Sequence, residues 1–164
     1  MKNKEQYFKQ IYEQSKDQIY RLCLGFMGNK TDADDLFQEV LIKVWNHLEG
    51  FRNESSIQTW MYRITTNTAL LTLNRKTKLS QKETDYPPNL SHYEAENSTS
   101  THKEQDIKNL YQAISTLKEI DRIIIGLLLE NCSYEDISNI TGLTTSNVGV
   151  RINRIKTLLN KKLK

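Results

Sequence analysis

The sequence predicts an all-α protein of two small helical domains, an N-terminal helical bundle and a C-terminal helix-turn-helix domain, joined by a flexible linker. Three observations carry that prediction. Apolar residues recur at three- and four-residue spacings through residues 5–76 and again through 105–162, the period of a helix with one buried face. Only six glycines and two prolines punctuate 164 residues, too few turn signals for a sandwich or barrel. Between the periodic parts lies a polar stretch that holds both prolines. A chain of this length suits one ordinary domain or two small ones.

The first helix is expected from about Tyr7 to Met27, with Phe8, Ile11, Tyr12, Ile19, Leu22, Cys23 and Phe26 on its apolar face. Gly28 and Asn29 supply its stop. Thr31 is a plausible N-cap for the next helix, with Asp34 three residues on as an acidic analogue of a capping box. That helix carries Leu36, Phe37, Val40, Leu41, Val44, Trp45 and Leu48, so most of its circumference is expected to be covered. GFRNESS (50–56) interrupts it, and a third helix is expected from about Ile57 to Leu73. Residues 77–104 hold three bases and five acids with no lasting apolar period, which reads as the linker. Extended, 28 residues reach roughly 90 Å, and as a random coil they average about 30 Å. Beyond it Ile107, Leu110, Tyr111, Ile114 and Leu117 mark one stripe, and Ile120 to Leu129 form a nearly all-apolar helix. Two more segments follow at 134–140 and 144–162.

Composition removes several function classes. No run of 18 apolar residues exists, so no transmembrane helix and no direct membrane insertion are expected. The N-terminus MKNKEQYFKQIYEQ has no apolar h-region after its charges, so the expected location is the cytoplasm. Cys23 and Cys132 are far apart, without a CxxC, and His47, His92 and His102 show no metal-ligand spacing; reduced thiols and no metal are expected. GFMGNK (25–30) lacks phosphate-loop spacing, and HExxH and GxSxG are absent. Neither an enzyme nor a cofactor nor a small-molecule substrate is expected.

The stretch SYEDISNITGLTTSNVGVRINRIK (133–156) has the spacing of a helix-turn-helix. Ser138 is a small residue where a second helix must pass close, and four residues later Gly142 can take the positive φ of a tight turn. Ile137, Ile140, Leu143, Val148 and Ile152 supply the buried faces. Ser146, Asn147, Val150, Arg151 and Arg154 are then left to face outward, as a helix that enters the major groove requires. From Arg151 to Lys164 there are six bases and no acid, which suits phosphate contact; a solvated basic face at a helix C-terminus is the plain alternative.

Two further stretches stand out. Asp32, Asp34, Asp35 and Glu39 crowd the front of the second helix with no base among them, although the chain is +3 overall. FRNESSIQTWMYRITTNTALLTLNRKTK (51–78) interleaves Phe51, Trp60 and Tyr62 with Arg52, Arg63, Arg75, Lys76 and Lys78. Rings beside bases suit a single strand, whose unstacked bases stack on the rings while cations follow the backbone. Trp60 is equally spaced like an ordinary core residue.

Taken in order, DADDLFQEVLIKVW, FRNESSIQTWMYRITTNTAL and SYEDISNITGLTTSNVGVRINRIK resemble the three motifs of the sigma-70 family of RNA polymerase sigma factors, in its extracytoplasmic-function (ECF) subfamily. The resemblance spans about 130 of the 164 residues. It implies a region-two domain over 1–76, a linker over 77–104 and a region-four domain over 105–164. It implies that Asp35, Gln38, Glu39, Leu41 and Trp45 dock on the clamp helices of the polymerase β′ subunit. It implies that Phe51, Arg52, Asn53, Ser56, Trp60, Arg63 and Asn67 capture the non-template strand of the minus-ten element. The C-terminal pair then reads the minus-thirty-five element through Ser146, Asn147, Val150, Arg151 and Arg154, and the surface before it meets the β flap. The partners so implied are core RNA polymerase, promoter DNA and an anti-sigma factor. The sequence departs from the family pattern at Ile57, usually aromatic, at Thr141, usually a larger aliphatic residue, and at Asn74 in the melting helix.

Two other classes compete. A stand-alone helix-turn-helix regulator, with 1–76 as a sensory or dimerisation bundle, predicts tight duplex binding by the free protein as a symmetric dimer. A sigma factor predicts weak binding alone and specificity only with core enzyme. A small helical enzyme with a metal at residues 32–39 would need histidines or an EF-hand spacing that the sequence lacks.

Overall fold

A computed structural model describes residues 3–82 and 102–163. Among the described residues the chain forms seven α-helices, one 3-10 turn and no strand. They are α1 (Lys4–Met27), α2 (Lys30–His47), the 3-10 turn Leu48–Gly50, α3 (Ile57–Lys82), α4 (His102–Ser115), α5 (Glu119–Leu129), α6 (Tyr134–Thr141) and α7 (Thr145–Leu163). The all-α fold class stands. Helix runs into both ends of the stretch expected as a linker, through Lys82 and from His102; residues 83–101, the rest of that stretch, lie outside the described residues.

Gly28 ends α1 as expected, at φ +83°, and its N–H donates to the Leu24 carbonyl. The start of α2 differs from expectation. Its cap is Asn29, whose Oδ1 accepts from the Asp32 N–H at 2.8 Å while its Nδ2 donates to Asp32 Oδ2 at 2.8 Å. Thr31 lies inside the helix. Because Gly28 turns the chain out of α1, Asn29 is the first residue left extended, at φ −148° and ψ 159°, which is the backbone an N-cap adopts.

α1 and α2 run antiparallel along an aromatic seam. The Phe8 and Trp45 rings meet edge to face at 5.3 Å, as do Tyr20 and Phe37 at 5.5 Å, and Tyr12 lies 6.5 Å from Phe37. Edge contacts of this kind add about 0.5–1.5 kcal/mol beyond area burial. The Tyr20 hydroxyl donates to Asp34 Oδ1 at 2.6 Å, closing the seam. α2 buries Ala33, Leu36, Val40 and Val44, with Phe37 and Leu41 half-buried beside them, one stripe rather than the expected cover over most of its circumference. Ile42 stays 60% exposed and Trp45 36%.

α3 packs against both α1 and α2 although its buried face is rich in threonine. Thr65, Thr68 and Thr72 each donate to the carbonyl four residues back, at 2.7–2.9 Å. Those three hydroxyls are thereby satisfied within the helix, and their methyls are left for packing, whereas the buried Thr66 Oγ1 has no hydrogen-bond partner among the described residues.

The C-terminal helices close on the same core. The last turns of α1 lie on α4 and α5. Gly126 is a point of close approach: a Cβ there would stand 3.0 Å from Phe26 Cε1 and 3.4 Å from Leu22 Cδ2. Phe26 is fully buried, and beside it Arg21 and Glu130 form a two-pronged ion pair at 2.7 and 2.8 Å. Glu130 holds the Arg21 guanidinium above its ordinary value.

Cys23 and Cys132 are free and buried. Burial pushes the Cys23 thiol up to about 12, and burial together with Asp136 and Glu130 pushes Cys132 up to about 11. The folded protein therefore keeps two protons that the unfolded chain releases near pH 9. That contribution is complete below pH 9 and is lost as pH rises through 11 and 12. A thiol reagent at pH 8 is expected to leave both residues unmodified in the native protein and to label both in denaturant, since only the thiolate reacts. A urea titration will check the packing: Gly126→Val is expected to lower the unfolding free energy by about 1–3 kcal/mol through overpacking against Phe26. An unchanged midpoint would mean that the ring has room to move.

Candidate nucleic-acid and partner interfaces

Three surfaces collect the residues singled out by sequence. On α2 the four acids divide into two sets. Asp32 is taken by the Asn29 cap and Asp34 by Tyr20. Asp35 and Gln38 are exposed, and Glu39 is half-buried and paired with Lys43 at 3.7 Å. Residues 35, 38, 39, 42 and 45 fall three or four apart and so share one face. Leu41 lies half-buried at its side. Trp45 is fixed there by the Phe8 edge and by the Lys4 ammonium, 4.3 Å from the ring centroid, a cation–π contact. Sequence reasoning missed Ile42, although its place four residues after Gln38 marks it. The result is an apolar centre, Ile42 and Trp45, rimmed by carboxylates, the composition of a protein interface.

The second surface is at the front of α3. Ser56 caps that helix: its Oγ accepts from the Thr59 N–H at 3.1 Å and donates to Thr59 Oγ1 at 2.9 Å. Trp60, Arg63 and Asn67 follow Ser56 along the same face at helical spacing. Phe51 leans on Trp60 with ring centroids 5.1 Å apart and planes tilted by 47°. Asn53 sits at φ +59°, a turn in the loop that leads Phe51 and Arg52 toward this face. Arg52, Asn53 and Asn67 are exposed, while Phe51, Trp60 and Arg63 are partly covered. Tyr62, one of the interleaved aromatics, is buried and accepts from Gln58 Nε2 at 2.8 Å. Burial foremost pushes its hydroxyl up to about 12. It belongs to the core and has no ring face to offer.

The third surface is α7. The expected turn is present: Gly142 has φ +81° and its N–H donates to the Ser138 carbonyl at 2.8 Å. Ser138 does more than stay small, since its Oγ donates to the Leu143 carbonyl at 2.5 Å across the turn. Thr141, the departure from the family pattern, bonds the Ile137 carbonyl at 2.7 Å and accepts from the Leu143 N–H at 3.3 Å. Its hydroxyl therefore ties the turn where an aliphatic side chain could not. Ile137, Ile140, Val148 and Ile152 are buried. Ser146, Asn147 and Val150 are exposed, as is Arg154. Arg151 is turned partly inward, toward a carboxylate that sequence reasoning did not single out: Asp121 on α5, 3% exposed, with Oδ1 3.2 Å from Arg151 Nη1 and Oδ2 3.8 Å from Arg154 Nη2.

Among the described residues no three His, Cys, Asp or Glu side chains gather so as to hold a metal, and no helix is long and apolar enough to cross a membrane.

Comparison with known proteins places these surfaces in a family. The chain matches Sigma-70 region 2 over residues 11–79 and Sigma-70 region 4 over residues 107–159. It is 30% identical to the RNA polymerase sigma factor SigV of Bacillus subtilis over 149 residues, covering 90% of this chain and 86% of that protein. It is 28% identical to the ECF RNA polymerase sigma factor SigW of the same organism, covering 96% and 89%. Among solved structures it resembles the sigma factor RpoE in complex with the anti-sigma factor NepR from Bartonella quintana, with a TM-score of 0.78 at 21% identity over 95% of this chain and 96% of that one. It also resembles CnrH in complex with the cytosolic domain of CnrY, with a TM-score of 0.69 at 18% identity over 97% and 88%. Those two likenesses speak for the fold. Together with the paired region matches, the SigV relationship shows that the chain belongs to the sigma-70 family, in its ECF subfamily, as a promoter-directing sigma factor whose partners are core RNA polymerase and promoter DNA.

Proposed function

We propose that the three surfaces divide the work of initiation. Residues 1–76 form the region-two domain, 77–104 the connection and 105–164 the region-four domain. Asp35, Gln38, Glu39, Leu41 and Trp45, with Ile42 at their centre, dock on the clamp helices of the β′ subunit. Phe51, Arg52, Asn53, Ser56, Trp60, Arg63 and Asn67 hold the non-template strand of the minus-ten element. A base taken from the stack there costs a few kcal/mol of unstacking, which the Phe51–Trp60 pair offsets by stacking. Ser146, Asn147, Val150, Arg151 and Arg154 face the minus-thirty-five duplex, and the surface ahead of α6 meets the β flap. The protein works in the cytoplasm and catalyses nothing itself; bond formation belongs to the polymerase.

The observation that carries this reading is the free face of α2. Acids beside promoter DNA would be repelled, whereas carboxylates around Ile42 and Trp45 suit a basic protein partner. An anti-sigma factor, the kind of partner bound in the RpoE–NepR structure, would silence the protein by covering that face.

Reading both elements at once sets a geometric demand. Elements centred 25 base pairs apart are separated by about 85 Å at ~3.4 Å per base pair. A packed chain of this length has a radius of gyration of roughly 15 Å and so measures about 40 Å across. The Phe26–Gly126 joint must therefore open on the promoter. Residues 83–101 span up to roughly 65 Å when extended, enough to permit it.

Gel filtration with sigma-free core polymerase tests the α2 assignment. Asp35→Arg combined with Glu39→Arg is expected to weaken co-elution by about 10- to 100-fold, because like charges across an interface cost several kcal/mol. If the protein runs apart from core and instead binds duplex DNA as a dimer, the reading fails. For the minus-ten surface, Trp60→Ala is expected to lower open-complex formation by about 5- to 100-fold, the worth of one stacking ring. Core binding should stay unchanged; equal loss of both would return Trp60 to a purely structural role.

A further inference from the structure

Asp121 is a buried acid in the middle of a surface that should bind an anion. It sits in the first turn of α5, where the helix dipole favours a carboxylate. Its Oδ1 accepts from Arg151 Nη1 at 3.2 Å, and the same arginine donates from Nε to Asn147 Oδ1 at 3.0 Å. The three side chains thus form one chain from the core of the domain to the exposed start of α7. Asn147 is held from its backbone as well, its N–H donating to Thr144 Oγ1 at 3.1 Å.

This chain has a direction. An arginine Nε carries a hydrogen and can only donate, so the amide of Asn147 must turn its oxygen to Arg151. Its Nδ2, with two hydrogens, then faces the other way, toward the groove side of α7. An unconstrained asparagine offers a donor and an acceptor together and pairs bidentately with adenine. An asparagine whose oxygen already accepts from a guanidinium keeps one further lone pair, but its two Nδ2 hydrogens are the polar atoms left wholly unengaged, which favours its use as a donor. In the major groove an acceptor-only polar edge belongs to guanine, through N7 and O6, or to thymine, through O4.

We infer that Asp121 is a positioning residue for promoter reading: through Arg151 it locks Asn147 as a hydrogen-bond donor, so that this position of α7 selects guanine or thymine and disfavours adenine and cytosine. The inference rests on the proposal that α7 lies in the duplex of the minus-thirty-five element. It assigns Arg151 an orienting task and leaves Arg154, whose Nη2 lies 3.8 Å from Asp121 Oδ2 but whose side chain is 56% exposed, as the arginine with more of its surface open to DNA. Asp121 itself touches no nucleic acid.

The test is selection of duplex DNA by the holoenzyme, core polymerase plus the full chain, from a library randomised upstream of a fixed minus-ten segment. The protein as it stands is expected to enrich guanine or thymine at one position by about 5-fold or more, the discrimination of a good base contact. Asn147→Ala should flatten that position and no other. Asp121→Asn should flatten the same position to within about 2-fold, with co-elution with core unchanged. Should Asp121→Asn fail to fold, Asn147→Asp serves independently: it removes the donors and should move the preference to cytosine, whose N4 amino group donates. Adenine enriched at the Asn147-dependent position would overturn the inference, as would an Asp121→Asn protein with full preference there. If neither Asn147→Ala nor Arg154→Ala alters any position, the placement of α7 on DNA fails, and this inference fails with it.

Discussion

The structure depends on one close approach, that of α5 to the end of α1. Gly126 lets α5 sit directly on the Phe26 ring, with Leu22 beside it, so α1 serves as the inner wall of both halves. Its earlier turns hold α2 through the aromatic seam and its last turns hold the C-terminal helices. The contact is mainly apolar in origin. Arg21 is 45% exposed at its side chain, so its bond to Glu130 is screened on one side and contributes at most about 1 kcal/mol net. Glu130 is 8% exposed, which makes the pair matter more for what its loss would leave behind, a carboxylate with little water around it. On the proposed function this joint is the one that must part for the protein to span two promoter elements.

How much of this was legible in the sequence follows from what each feature depends on. Helix periods are local, and the apolar stripes of α1, α5 and α7 were readable from spacing alone. So was the turn at Gly142, since a glycine four residues after a small residue leaves few alternatives. The cap of α2 was misread because two candidates stood two residues apart, each with an acid three residues on: Asn29 with Asp32, Thr31 with Asp34. The choice was made upstream, by the left-handed Gly28. α3 outran its expected end because residues 77–82, polar but for Leu79, contain no helix breaker, and polarity alone does not stop a helix; Pro87 lies five residues beyond Lys82. The candidate surfaces were legible as residue types, but their internal bonds were not. Arg21 and Glu130 are 109 residues apart, Asp121 and Arg151 are 30 apart, and no pattern within either segment announces its partner.

The acids of α2 show how a cluster that looks uniform in sequence becomes divided by the fold. Helical geometry turns Asp32 and Asp34 toward the cap and toward α1, where each meets a specific polar group. Asp35 falls about 100° further round and is left outside. One pair of carboxylates therefore serves folding, and Asp35 with Glu39 is left on the open face of the helix. The same logic separates Tyr62 from Trp60: two residues apart on α3, they point to nearly opposite sides, so one fills the core and the other supports Phe51 at the surface.

A parallel division holds for the bases of α7, and it bears on why such a protein relies on a polymerase. Counted from sequence, the helix offers a long cationic run to DNA. In the fold, Arg151 and Arg154 both face the Asp121 carboxylate, and Lys162 donates to Thr116 Oγ1. Lys156 and Lys161 are exposed, with no ion pair to another described residue. Each phosphate neutralised contributes a slope of about 0.9 in log affinity against log salt, so the two or three cations left uncommitted give only a small electrostatic share of binding. Shape and base contacts at the start of α7 must then carry recognition, and contacts of that kind hold weakly unless a second anchor fixes the protein in place. Under the proposed division of work, the acidic and apolar face of α2 supplies an anchor of opposite chemistry, on protein rather than on nucleic acid. On that proposal the balance of charge in this chain, acids outward at the front of one helix and bases partly restrained on another, makes specificity conditional on assembly.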